Sequence, residues 1–150
     1  MSHLKEVCRV QIVRLDPEMP TLSHALPGDA GVDLRSTTSL TLQPGDRTLI
    51  PTGIAIAIPE GYAGFVQPRS GMAINKGLGL LNSPGLIDSG YRGEIKVIAV
   101  NLSKETLEIT RGERVAQLVI LPVPSVAYEE VDHLPQSERG TGGFGSTGIG

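Results

Sequence analysis

The chain has a single cysteine, Cys8, so no intrachain disulfide can form. A lone thiol suits a reducing compartment, which makes a cytoplasmic setting the simplest expectation. Cys8 itself reads as a small buried strand residue. Basic runs are also missing, and the net charge is -3. Generic binding to nucleic acid or to a membrane surface therefore has no electrostatic support. Met1 to Arg9 carries charges but no apolar core long enough for a signal peptide. The longest apolar stretch, Val115 to Val123, is broken by Gln117 and Pro122 and is far too short to span a bilayer. Several site types are absent as well: no Gly-Lys-Ser/Thr phosphate loop, no dinucleotide glycine fingerprint, no paired cysteines for zinc. His3, His24 and His133 each stand apart from other candidate ligands and read as surface residues.

What is present points to strands. The 150 residues suit one domain with a hydrophobic core, and no internal repeat or second domain is visible. Glycine and proline supply 30 of them, too many for a helical protein because both interrupt helices. Ile54, Ile56 and Ile58 alternate with Ala55 and Ala57, and Val10 and Ile12 alternate with Gln11 and Val13. Glu94–Asn101 and Thr106–Thr110 read as strands around a polar turn at Ser103–Lys104. Val115–Leu121 fits a strand or a buried helix; its β-branched residues and Pro122 favour a strand. Turn signals recur at Pro27-Gly28-Asp29, Pro44-Gly45-Asp46, Pro59-Glu60-Gly61, Pro84-Gly85 and Arg111-Gly112. Short strands at that spacing predict a sandwich, barrel or jelly roll. One brief helix is expected, capped by Ser70, running through Met72-Ala73-Ile74 and ending at Gly77.

Three segments are unusual for scaffold. Pro68-Arg69-Ser70-Gly71 puts a cation and a hydroxyl where the helix begins, and helix N-termini offer N–H groups to phosphates; a plain cap with a surface arginine is the alternative. Asn82 to Gly93 sits between strand-like runs and reads as an extended hairpin. There, a partly desolvated Asp88 is suited to taking a proton from water, or is simply a turn aspartate beside a packed Tyr91. The tail from Arg139 has six glycines in its last twelve residues. Its N–H groups suit phosphates and Phe144 suits a nucleobase; a chain end without a core of its own is the bland reading.

Taken in order, Ala30-Gly31-Val32-Asp33-Leu34-Arg35-Ser36, Pro68-Arg69-Ser70-Gly71, Gly85 through Glu94, Arg111-Gly112-Glu113-Arg114-Val115-Ala116-Gln117 and Arg139 through Ser146 resemble the five motifs of the trimeric dUTPase family. The resemblance implies an all-β, jelly-roll-like barrel with one short helix. It implies a β domain over residues 1–138 and a flexible glycine-rich arm over 139–150 that closes a site shared within a homotrimer. The implied activity is hydrolysis of dUTP to dUMP and pyrophosphate with Mg2+, which would supply dUMP for thymidylate synthesis and keep uracil out of DNA.

Residue by residue, the resemblance makes Asp88 the base for the attacking water and Tyr91 the deoxyribose neighbour. Asn82 and the backbone of Leu86 and Ile87 would read uracil. Arg69, Ser70, Gly71 and Gln117 would bind phosphates. Lys96 falls in the ligand shell, Arg139 would clamp the γ-phosphate, and Phe144 would stack on uracil. Asp33 would act near the metal through water or brace the site. Two other readings of the same fold are a dCTP deaminase, which calls for a glutamate in the hairpin region, and a non-catalytic nucleotide-binding regulator.

Overall fold

A computed structural model describes residues 7–146 and 148. The readings that touch His3, the rest of residues 1–6, and positions 147, 149 and 150 lie outside the described residues. Among the described residues the elements are β1 (Gln11–Arg14), β2 (Gly31–Arg35), β3 (Leu40–Leu42), β4 (Arg47–Ala57), β5 (Tyr62–Gln67), α1 (Ser70–Lys76), β6 (Leu78–Leu80), β7 (Gly85–Ile87), β8 (Glu94–Asn101), β9 (Leu107–Ile109) and β10 (Arg114–Pro122).

The long strand β4 is the spine of the first sheet, ordered β1-β4-β8-β6. Its first half pairs with β8 and its second half with β1. Period-two alternation drives Ile50, Ile54 and Ile56 inward, and Ile58 just beyond follows them; all four are at most 4% exposed. The second sheet runs β2-β10-β5-β7, and β3 and β9 make a small third pair. Every pairing is antiparallel. The inner faces meet in one cluster that includes Leu34, Val66, Leu78, Val97, Ile109, Val115 and Leu118. Burying one such side chain contributes roughly 1.5–3 kcal/mol, against about 0–1 kcal/mol for an exposed ion pair. Alternation, not charge pairing, therefore carries this fold.

The architecture is the expected jelly-roll-like all-β arrangement, with its sheets left open at their edges rather than closed into a ring. The Val115–Leu121 run is strand, as its β-branched residues favoured. Three local expectations need correction. Ser70 does not cap α1: Arg69 holds the N-cap position in an extended conformation without a side-chain cap bond, and Ser70 is already helical. Cys8 precedes β1 and is only half-buried. Residues 82–93 are not a paired hairpin. β7 joins β5, with Val66 opposite Gly85 and Gly64 opposite Ile87, while β8 pairs in the other sheet. The segment bridges two sheets because Gly64 lets Ile87 approach; a Cβ there would lie 3.3 Å from that of Ile87.

After β10 the chain leaves the core. Every residue from Leu121 to Thr141 is exposed, among them Val126, Tyr128 and Leu134. No helix among the described residues is long and apolar enough to cross a membrane.

Candidate functional site

The sequence-predicted residues fall into three groups. The first lines a cleft of about 430 Å³ that brings together Asn82, Leu86, Ile87, Asp88, Tyr91 and Lys96. β7 forms one wall. It is the edge strand of its sheet, so among the described residues one side of its backbone has no strand partner, which leaves it available to a ligand's donors and acceptors. Gly85 begins this strand buried, with Asn82 Nδ2 3.2 Å from where a Cβ would stand. The turn before it contains a cis Ser83–Pro84 peptide. Asp88 follows β7 directly and is exposed, not partly desolvated as expected, because it projects from the end of an edge strand. Its carbonyl accepts the Tyr91 N–H at 3.1 Å, which closes a turn and places carboxylate and phenol in one cleft.

The second group lines a separate cleft of about 410 Å³ with Asp33, Arg69, Ser70, Gly71 and Gln117. Asp33 lies on β2 opposite Gln117 on β10. Its Oδ1 forms an ion pair with Arg69 Nε at 2.8 Å, and its Oδ2 accepts from Arg114 Nη1 at 3.4 Å. The Gln117 amide donates to the Pro68 carbonyl at 2.9 Å, tying β10 to the turn that presents Arg69. Cations, a hydroxyl and the first turn of α1 thus converge on one opening, an arrangement suited to an anion with several oxygens.

Arg114 was missed as a site residue in the sequence. Its register explains why. The β10–β2 pairing shifts between Arg114 and Ala116, and Val115 and Ala116 are both fully buried. Simple alternation puts Arg114 and Gln117 on opposite faces, whereas this bulge puts both in the same cleft. Glu94, the first residue of β8, was missed too and lines the first cleft. Its signal was its place at the end of the Gly85–Glu94 motif, at the start of a strand-like run.

The turn at 111–113 is pinned from three sides. Arg111 donates to Asp16 Oδ2 and to the Thr37 carbonyl, each at 2.6 Å, and to Glu18 at 3.1 Å. The hydrogen bond from Arg111 holds the Asp16 carboxyl below its ordinary value, and the same pair raises Arg111. Arg35 donates to the Gly112 carbonyl at 2.9 Å. Lys76, in the last turn of α1, reaches Glu113 at 2.7 Å. Partial burial pushes the Glu113 carboxyl up, but the Lys76 hydrogen bond and charge and the Thr110 N–H outweigh it and leave it lowered. The helix after Arg69 is thereby tied to the strand that carries Gln117.

The third group, Arg139 and Phe144, lies on the exposed tail. Arg139 Nε donates to the Gly142 carbonyl at 2.7 Å, and Phe144 is fully exposed. Neither lines either cleft. His24 and His133 are exposed. The described residues hold no cluster of three His, Cys, Asp or Glu groups arranged for a metal.

A family model described as dUTPase matches residues 17–148. The chain belongs to the dUTPase family. Its similarity to the deoxyuridine 5'-triphosphate nucleotidohydrolase of Streptomyces avermitilis is 54% identity over 140 residues, covering 93% of this chain and 80% of that protein. Among solved structures, a mutant dUTPase of Staphylococcus bacteriophage 80alpha with dUpNHpp has a TM-score of 0.87 at 28% identity, covering 94% of this chain and 99% of that one. A mutant dUTPase from phage phi11 of S. aureus, whose structure concerns coordination of a structural Mg(II) ion, has a TM-score of 0.77 at 26% identity and covers 83% and 97%.

Proposed function

We propose that this chain hydrolyses dUTP to dUMP and pyrophosphate in a reducing, cytoplasmic setting, and that Asp88 accepts the proton of the attacking water. The observation that carries the reading is that Asp88, Tyr91, Asn82 and the β7 backbone share one cleft. Asn82 and the free side of β7 read uracil. Hydrogen-bond mismatch rejects other bases more strongly than one methyl group can. Tyr91 packs on deoxyribose. Water oxygen bonds to the α-phosphorus as its proton passes to Asp88, and the bond to the bridging oxygen breaks, with pyrophosphate leaving. Arg69, Ser70, Gly71 and Gln117 hold phosphate oxygens, and Arg139 clamps the γ-phosphate while Phe144 stacks on the base.

Mg2+ suits this donor set as a passenger of the triphosphate. It prefers six oxygens, keeps several waters and needs few protein carboxylates, which agrees with the lack of a dense acidic cluster among the described residues. Bound there, it would neutralise charge on the phosphate oxygens. Asp33, already shared by Arg69 and Arg114, would meet it through water while bracing the arginines. Lys96 adds a cation at the rim of the first cleft.

A homotrimer with shared sites is supported by the separation of the three groups within one protomer. It is supported again by the exposed apolar residues Val126, Tyr128 and Leu134, which the protomer's own core does not cover. Residues 139–150 would then close over a neighbour's clefts and exclude water. Nucleic acid and membrane play no part in this reading. The test is product release by the purified protein with magnesium. Pyrophosphate from dUTP supports hydrolysis. Ammonia from dCTP would favour a deaminase, and binding without turnover a regulator.

A further inference from the structure

β4 and β8 pair from Arg47–Val100 to Pro51–Lys96 and resume at Ala55–Glu94. Thr52, Gly53 and Ile54 therefore stand opposite Ile95 alone. Such a bulge strips ladder groups of their backbone partners, and here side chains replace them. The Thr52 hydroxyl donates to the Ile95 carbonyl, and the Gly53 N–H donates to Glu94 Oε2 at 3.1 Å. Gly53 is buried at φ 70°, where a Cβ would lie 2.8 Å from Thr37 Cγ2. The position admits only glycine, and the direction of its amide is fixed. The Glu94 carboxylate is thus anchored in the body of the first sheet.

The backbone of Glu94 makes a second contact. Its carbonyl accepts the Tyr91 hydroxyl at 2.9 Å. The ring folds back over Gly93, where a Cβ would lie 2.5 Å from the Tyr91 hydroxyl oxygen. Tyr91 is 48% exposed, so core packing alone does not hold it. A ring free to change rotamer makes a poor wall, and rejecting one extra oxygen on a sugar needs a wall fixed to well under 1 Å.

We infer that Glu94 is a positioning residue that sets selectivity for deoxyribonucleotides over ribonucleotides. Its carboxylate pins the start of β8 to the bulge in β4, and its carbonyl, fixed by that pin, holds Tyr91 against the sugar. This rests on the reading of Tyr91 as the deoxyribose neighbour.

The test compares kcat/KM for dUTP and UTP in the full-length protein and in Glu94→Ala, Glu94→Gln and Tyr91→Phe, with thermal midpoints measured alongside. Glu94→Ala narrows the dUTP-to-UTP ratio on the order of tenfold. Glu94→Gln, whose amide oxygen still accepts the Gly53 N–H, keeps the ratio within about twofold. Tyr91→Phe cuts the tether from the other end and narrows the ratio as well. A Glu94→Ala protein that slows both substrates by one factor has lost structure only, and overturns the inference. If that variant does not fold, Tyr91→Phe decides, and an unchanged ratio there overturns it. A parent protein that leaves dUTP intact sinks the proposed function itself, whereas active variants with parental selectivity sink only the positioning role.

Discussion

Arg69 Nε and Asp33 Oδ1 form an ion pair at 2.8 Å, so the aspartate holds the guanidinium by charge at its Nε edge. Arg114 reaches the second oxygen of the same carboxylate. Asp33→Asn should weaken this shared brace. The Arg69–Asp33 pair is half-buried but still open to solvent, and solvent-screened pairs contribute about 0.2–1 kcal/mol, so the thermal midpoint should barely move. On the proposed reading, KM for dUTP should rise by roughly tenfold, more than kcat falls, because the two guanidinium groups of the second cleft lose their aim. Removing a negative charge by itself favours a polyanion, so a raised KM separates geometry from charge. Steady-state kinetics beside a melting curve checks this; an unchanged KM leaves Asp33 no such role.

Asp88→Asn keeps the shape of the loop, because the bond from the Tyr91 N–H goes to the Asp88 backbone carbonyl. Loss of a general base typically costs about 10²–10⁴ in rate. Turnover of dUTP should fall within that range while titration with a non-hydrolysable analogue gives a near-parental Kd. Near-normal turnover would remove Asp88 as the base.

Truncation after Glu138 removes residues that, where described, line neither cleft and are mostly exposed. The shortened chain should melt and sediment like the parent. Its kcat/KM should fall by at least about tenfold, as expected when a closing segment that excludes water is lost. Full activity in the truncated protein would end the case for the tail.

Arg111→Met should show a pH-dependent loss of stability. In the folded protein the Asp16 carboxyl sits below its ordinary value of 3.8, chiefly through the Arg111 hydrogen bond. Its contribution is therefore complete above 3.8 and fades as pH falls through the lowered value. The gap in melting midpoint between parent and variant should be widest near neutrality and close in acid. A gap that persists well below 3.8 would mean that the lost contact is packing of the arginine stem.

Much of the frame was legible because it depends on period two. The Ile54-Ile56-Ile58 run lies in and just beyond β4, Glu94–Asn101 is β8, and the Val115–Leu121 run falls within β10. Of the turn glycines, Gly28, Gly45, Gly61 and Gly112 have positive φ. What escaped were the places where counting by twos fails. The bulge at Val115 turned Arg114 into the second cleft, and the bulge at Thr52–Ile54 gave Glu94 its partner. Nor could local pattern show that Gly85–Ile87 would pair with β5, since that pairing depends on Gly64, some twenty positions earlier. The Ser70 cap failed for a related reason: the residue after Pro68 is held extended, and the helix starts at once behind it.

The second sheet stops at β7, only three residues long and bracketed by Pro84 and Asp88. An open strand border invites foreign chains to zip onto it, and the usual defences are brevity, proline and charge. This border has all three. It offers too few rungs to template aggregation, yet enough free amide and carbonyl for one flat heterocycle. The same shortness that leaves room for a small flat ligand makes it unattractive to another polypeptide.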